Sequence, residues 1–207
     1  MRVTTVRKLL RLACCGLAAV LMSAGGSGIA HADPAFTPPP DIGDHSWCYG
    51  DSFSNHDPFE NSMATVESET IVDTVYQSTC KNTTDVVWLL DHGVLASNVF
   101  GQTTCDHYRP DIMRCDQWNV QLNTDLISAS KYPTQQKRQT VCHELGHTLG
   151  VSHYPAPGSA ISPPTYPSGD SGYSCMRSGE VTSISTNWFK TYGTHHITKH
   201  INPWFGQ

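Results

Sequence analysis

Apolar and polar positions divide the 207-residue chain into stretches of different periodicity. The first apolar run, Leu12 to Met22, follows Arg2, Arg7, Lys8 and Arg11 and leads to small residues ending Ala30-His31-Ala32. A basic start, a short apolar middle and an A-x-A-like end predict an export signal over residues 1–32. The run is too short, and too interrupted by Gly and Ser, to predict a membrane span. Residues 33–54 are rich in Pro, Gly and Asp, and Pro38-Pro39-Pro40 is excluded from a helix interior. They predict an extended N-terminal arm stapled at Cys48, leaving residues 55–207 as a single domain. From Asn61 to Thr79, Met63, Val66, Ile71, Val72, Val75 and Tyr76 recur at roughly helical spacing, which predicts a helix. Val86 to Leu90 reads as a buried strand, and Trp118 to Asn123 alternates like a strand covered on one face. Between them, Cys105 to Cys115 reads as a polar loop. A helix is predicted from about Pro133 through Val141, His143, His147 and Leu149, stopping near Gly150. Residues 154–173, rich in Pro and Gly, read as a long irregular loop that Tyr154, Tyr166 and Tyr173 pack. Asn187 to Tyr192 is expected to belong to a C-terminal helix.

Charge and cysteine usage narrow the class. All 18 acidic residues but only 9 of the 13 basic ones follow residue 32, so the formal charge there is −9. A net acidic chain without a basic block is unsuited to nucleic acid or to anionic membrane surfaces. Six cysteines follow the signal: Cys48, Cys80, Cys105, Cys115, Cys142 and Cys175. An even number in an exported chain predicts disulfides, and six cysteines allow fifteen pairings. Sequence does not choose among them; the pairing adopted is Cys48–Cys80, Cys105–Cys115 as a short clip, and Cys142–Cys175.

The chemistry concentrates between His143 and His153. Two histidines four apart on a helix, His143 and His147, project from one face and can share a metal ion. Gly150 can take a positive φ and turn the chain back, so that His153 becomes a third ligand. Glu144 flanks the first ligand and is placed as general base on a zinc-bound water. Three nitrogen ligands with an open fourth position describe a catalytic zinc site. Gly146, inside the helix at a cost of about 1 kcal/mol relative to Ala, implies that something passes close to the backbone there.

His143-Glu144-Leu145-Gly146-His147-Thr148-Leu149-Gly150-Val151-Ser152-His153 fits every fixed position of H-E-x-x-H-x-x-G-x-x-H, and so resembles the metzincin clan of zinc metallopeptidases. The resemblance implies an α+β fold, with a mixed twisted β-sheet, an active-site helix and a C-terminal helix. It implies His143, His147 and His153 as zinc ligands, Glu144 as catalytic base, and Met176 in Ser174-Cys175-Met176 as the methionine of a turn beneath the metal. Trp118 to Gly150 is similar to the matrixin arrangement, which implies that Asn119, Val120, Gln121 and Leu122 form the sheet edge that binds substrate. The chain also resembles small secreted actinobacterial proteases of the snapalysin type, but has His153 where those have Asp. Ser178 stands where some metzincins have a zinc-reaching Tyr.

The expected function is therefore a secreted, bacterial, monomeric zinc endopeptidase acting on protein or peptide substrates. The alternative is a non-catalytic zinc-containing module that binds extracellular proteins. Calcium is a further candidate cation, with Asp106, Asp111 and Asp116 as candidate ligands. His195, His196 and His200 are expected to face solvent.

Overall fold

The computed structural model describes residues 38–153, 174–182, 184 and 187–207. The expected export signal and the expected loop holding Tyr154, Tyr166 and Tyr173 lie outside the described residues. Helix α1 spans Asp57–Glu69, with Pro58 in its first turn and Phe59, Ser62, Met63 and Val66 buried along one stripe. It starts earlier than the predicted Asn61 and ends ten residues before Thr79. The reason is the β-branched content of Ile71, Val72, Thr74 and Val75, which favours extended backbone. Thr70 closes the helix, its N–H donating to Val66 O at 2.9 Å. Thr74–Tyr76 then forms strand β2.

The sheet has five strands. In chain order they are β1 (His45–Tyr49), β2, β3 (Val86–Leu90), β4 (Gly101–Arg109) and β5 (Arg114–Leu122). In space the order is β2-β1-β3-β5-β4, with β4 antiparallel to β5 and the other pairs parallel. The fold is α+β, a mixed sheet with a candidate active-site helix and a C-terminal helical run, as the resemblance implied.

Within the sheet, three segments differ from expectation. β1 lies within the stretch read as an extended arm, and it has β2 on one side and β3 on the other. Its residues His45, Ser46, Trp47 and Cys48 are buried, so this stretch is part of the sheet interior. Cys105 to Cys115 is a hairpin joining β4 to β5 and not a polar loop. β4 escapes a periodicity reading because Thr103 is its one buried residue. Finally, Asn119–Leu122 belong to β5, which is paired to β3 and to β4. The segment expected as substrate edge is therefore interior, and β4 occupies the edge.

Helix α2 (Thr124–Ala129) is capped by Asn123, whose side chain accepts from Leu126 N at 2.9 Å. Helix α3 runs Pro133–Thr148, with Pro133 in its first turn. Its second half is buried from Gln139 to Thr148, because α1, β4, β5 and the C-terminal segments surround it. The core joins Phe59, Met63 and Val66 of α1, Trp88 and Val120 of the sheet, Val141 and Leu145 of α3, and Met176, Tyr192 and Ile201.

The disulfides are Cys48–Cys80, Cys105–Cys115 and Cys142–Cys175, the pairs adopted from the sequence. Instead of a helix over Asn187–Tyr192, the chain makes a 3-10 turn at Trp188–Lys190. A helical run follows, through Gly193–His196, a π-turn at Ile197–Ile201 and Asn202–Phe205. His196 is fully buried in that run, contrary to the solvent-facing expectation. Its Nδ1 is 2.7 Å from Tyr192 O.

Candidate metal centre

The local sequence explains how α3 ends. Leu149 N donates to Leu145 O, Gly150 N to His147 O at 3.0 Å and Val151 N to Gly146 O at 2.9 Å. Gly150 has φ +81°, the left-handed conformation that glycine adopts without a Cβ penalty. The chain reverses, Val151 drops into the core, and His153 comes back toward the helix.

The three imidazoles meet there. Ring centroids are 4.8 Å apart for His143–His147 and for His143–His153, and 4.9 Å for His147–His153. One nitrogen from each lies within 4.8 Å of the others, and among the described residues this is the only group of three candidate ligands so placed. The second nitrogens of the two helical histidines are engaged behind the cluster. His143 Nδ1 donates to Cys175 O at 2.9 Å and His147 Nδ1 to Val151 O at 2.8 Å. Each bond fixes the tautomer that leaves Nε2 as a lone-pair donor to a metal. Burial also keeps the rings neutral. It drives His147 down to about 4, and it lowers His143 well below the usual imidazole range, helped by the neighbouring histidines. His147 Nε2 lies 3.2 Å from His153 Nε2. Neutral, converging nitrogens suit a divalent transition metal.

Glu144 is buried and lines the same cleft as the three histidines. Its Oε2 accepts from Thr103 Oγ1 at 2.8 Å, and the same hydroxyl lies 2.9 Å from Glu144 O. Burial pushes the carboxyl up to about 8, with the Thr103 hydrogen bond opposing. A cation at the three histidines would favour the charged form again. Thr103 is on β4, two residues from Gly101. A Cβ on Gly101 would sit 2.7 Å from Thr140 Cγ2 and 2.8 Å from Glu144 Cγ, so glycine lets the strand lie directly against the helix.

Phe100, Gly101, Gln102 and Thr103 thus form one wall of a cleft of about 460 Å³. Gln139, Thr140, His143, Glu144 and His147 of α3 form another, with His153, Ser178 and Gly179 completing it. Beneath it, Met176 is fully buried. A Cβ on Gly146 would meet Met176 Sδ at 2.2 Å and Tyr192 Cε1 at 2.9 Å, so these two side chains are what passes close to the helix backbone. Tyr192 Oη donates to Cys142 O at 3.0 Å, and Gln139 Nε2 to Cys175 O at 3.0 Å and to Arg177 O at 2.7 Å.

The calcium candidates are not assembled. Arg109 takes Asp111 at 2.7 Å and Asp116 at 3.1 Å, so a guanidinium already neutralises two of the three carboxylates.

Thr103 and Gly101 are positions at the site that the sequence reading missed. Nothing in the polar stretch from Gly101 to Arg109 marks them, and Thr103 meets Glu144 across 41 positions. Thr103→Val keeps the shape and removes the hydroxyl. A hydrogen bond to a charged group contributes about 1.5–3 kcal/mol. The substitution is expected to lower kcat/KM on the order of 10-fold, with Thr103→Ser close to the native value and bound metal unchanged in both.

Compared with known proteins, the chain matches no family model and none of the curated proteins.

Proposed function

We propose that the chain is a zinc-dependent endopeptidase of metzincin type, exported by residues 1–32 and acting on protein or peptide substrates. The observation that carries this reading is the convergence of His143, His147 and His153 beside a buried Glu144, at the foot of an open-edged strand. Zinc, when bound by the three histidines, would supply Lewis acidity, acidifying water and polarising a peptide carbonyl.

The chain's own residues supply the rest. The outward-facing backbone groups of β4 at Gly101–Thr103 accept an extended peptide as a further strand, which lays a scissile bond across the cleft. Glu144 takes the proton of the attacking water and returns it to the leaving amine nitrogen. Thr103 holds Oε2, which fixes the carboxylate while Oε1 handles the proton. Carbonyl oxygens of Cys175 and Val151 hold the ligand rings in place through the reaction.

No described helix is long and apolar enough to cross a membrane. The test is hydrolysis of a denatured protein by the purified chain, with a chelator and then with zinc restored. Cleavage that the chelator abolishes and zinc restores is the expected result. Cleavage indifferent to the chelator would overturn the mechanism. Zinc retained without cleavage of any substrate would favour the alternative, a protein-binding zinc module.

A further inference from the structure

The C-terminal run carries a second convergence of imidazoles. His195 Nε2 and His200 Nε2 are 3.4 Å apart, with ring centroids at 5.2 Å and planes inclined by 60°. In an α-helix, side chains five residues apart diverge by about 140° around the axis. Here the chain passes through the π-turn at Ile197–Ile201, whose i→i+5 pattern brings His200 back under His195. Such turns are frequent at functional sites.

The spacing carries chemical information. Two nitrogens bound to zinc at about 2.0–2.1 Å with tetrahedral angles lie about 3.3–3.4 Å from each other. At 3.4 Å the pair is longer than the common N–H hydrogen bond of about 2.9–3.0 Å. The same convergence recurs in the three-histidine cluster, where His147 and His153 approach to 3.2 Å. Both His195 and His200 are partly exposed, so water can complete a coordination shell. Buried His196, between them in sequence, has its Nδ1 2.7 Å from Tyr192 O, which anchors the run that presents the pair.

We propose that His195 and His200 form a second metal site, chelating one divalent ion of the zinc, nickel and copper class through their Nε2 atoms. Imidazole nitrogens select that class over calcium and magnesium, which require oxygen ligands. With two protein ligands the site is weaker than the three-histidine centre and fills after it. Its ion clips the π-turn from residue 195 to residue 200. His200 also lines a cavity of about 210 Å³ with Pro39, Pro40, Gly150 and Trp204, next to the turn that returns His153. The clip therefore braces the surface against which that turn rests.

The test is zinc titration of the metal-stripped chain by calorimetry, with the metal content of each species measured. The native chain is expected to bind two ions in two separable events. His195→Ala and His200→Ala are each expected to weaken the second event at least 10-fold and leave the first unchanged. His143→Ala with His147→Ala is expected to remove the first event and keep the second. Because both residues are partly exposed, the alanine variants should melt like the native chain; His195→Gln and His200→Gln serve as paired controls that keep polar side chains. Imidazole resonances of His195 and His200 should shift only with the second equivalent. A single event in the native chain, or a second event that survives both alanine substitutions at native strength, would overturn the site.

Discussion

Glu144→Gln is expected to lower peptide hydrolysis by about 10²–10⁴-fold while the chain keeps its metal. The substitution is nearly isosteric and leaves an amide oxygen to accept from Thr103 Oγ1, now 2.8 Å from Oε2. The buried position therefore stays filled and hydrogen-bonded, and the fold is not the cause of the loss. What disappears is the capacity to take a proton from water and deliver it to the amine. The two helical imidazoles are untouched, since the Nδ1 contacts of His143 and His147 run to Cys175 and Val151. Metal content at the three-histidine centre should thus equal the native value, and kcat should fall with little change in KM. Steady-state kinetics on a quenched peptide, with metal analysis of the same samples, checks it. Activity within 10-fold of native would remove Glu144 from the proton pathway. His143→Ala separates the two roles, because it should remove the metal of the three-histidine centre and activity together.

The metal centre was legible because its parts are local. His143, Glu144, His147, Gly150 and His153 lie within one helix and one turn, where helical spacing and the freedom of glycine determine who meets whom. β3 and β5 were legible from apolar content that burial on the sheet demands. What was not legible depends on contacts between distant segments. β4 has the sequence Gly-Gln-Thr-Thr-Cys-Asp-His-Tyr-Arg, and an edge strand with one buried residue shows no alternation. The substrate edge was consequently assigned to Asn119–Leu122, when those residues have a neighbour on each side. β1 was hidden because His45 and Ser46 are polar yet buried, each hydrogen-bonded to a distant partner. His45 Nε2 is 2.8 Å from Thr148 Oγ1, and Ser46 N donates to Asp85 Oδ2 at 2.7 Å. The register of the C-terminal helix slipped for a similar reason: Tyr192 is a core residue that precedes the helical run.

Gly146 was legible as an anomaly, and the structure supplies its cause, which leads to the second large effect. Gly146→Val is expected to destabilise the chain by about 3 kcal/mol or more, at the upper end for overpacking a core. The first atom of the new side chain would already sit 2.2 Å from Met176 Sδ and 2.9 Å from Tyr192 Cε1. Helix propensity works the other way by less than about 1 kcal/mol, so the clash decides the sign. Met176 and Tyr192 are fully buried, and the next residue along from Met176, Cys175, is tied to Cys142. Met176 directly follows Cys175, whose O holds His143 Nδ1, so displacing the methionine strains the segment that positions the ligand. Loss of stability and loss of zinc affinity should therefore appear together. A double-mutant cycle isolates the contact. Met176→Ala alone should cost about 2–5 kcal/mol by leaving a cavity. Adding Gly146→Val to it should cost at least 1 kcal/mol less than in the native background, because the branched side chain fills part of the space that the methionine vacates. Rescue should stay incomplete, since Tyr192 still presses on the same position. Denaturant melts and zinc titrations of the four proteins read both quantities, and strict additivity would mean that Met176 does not exclude a side chain at residue 146.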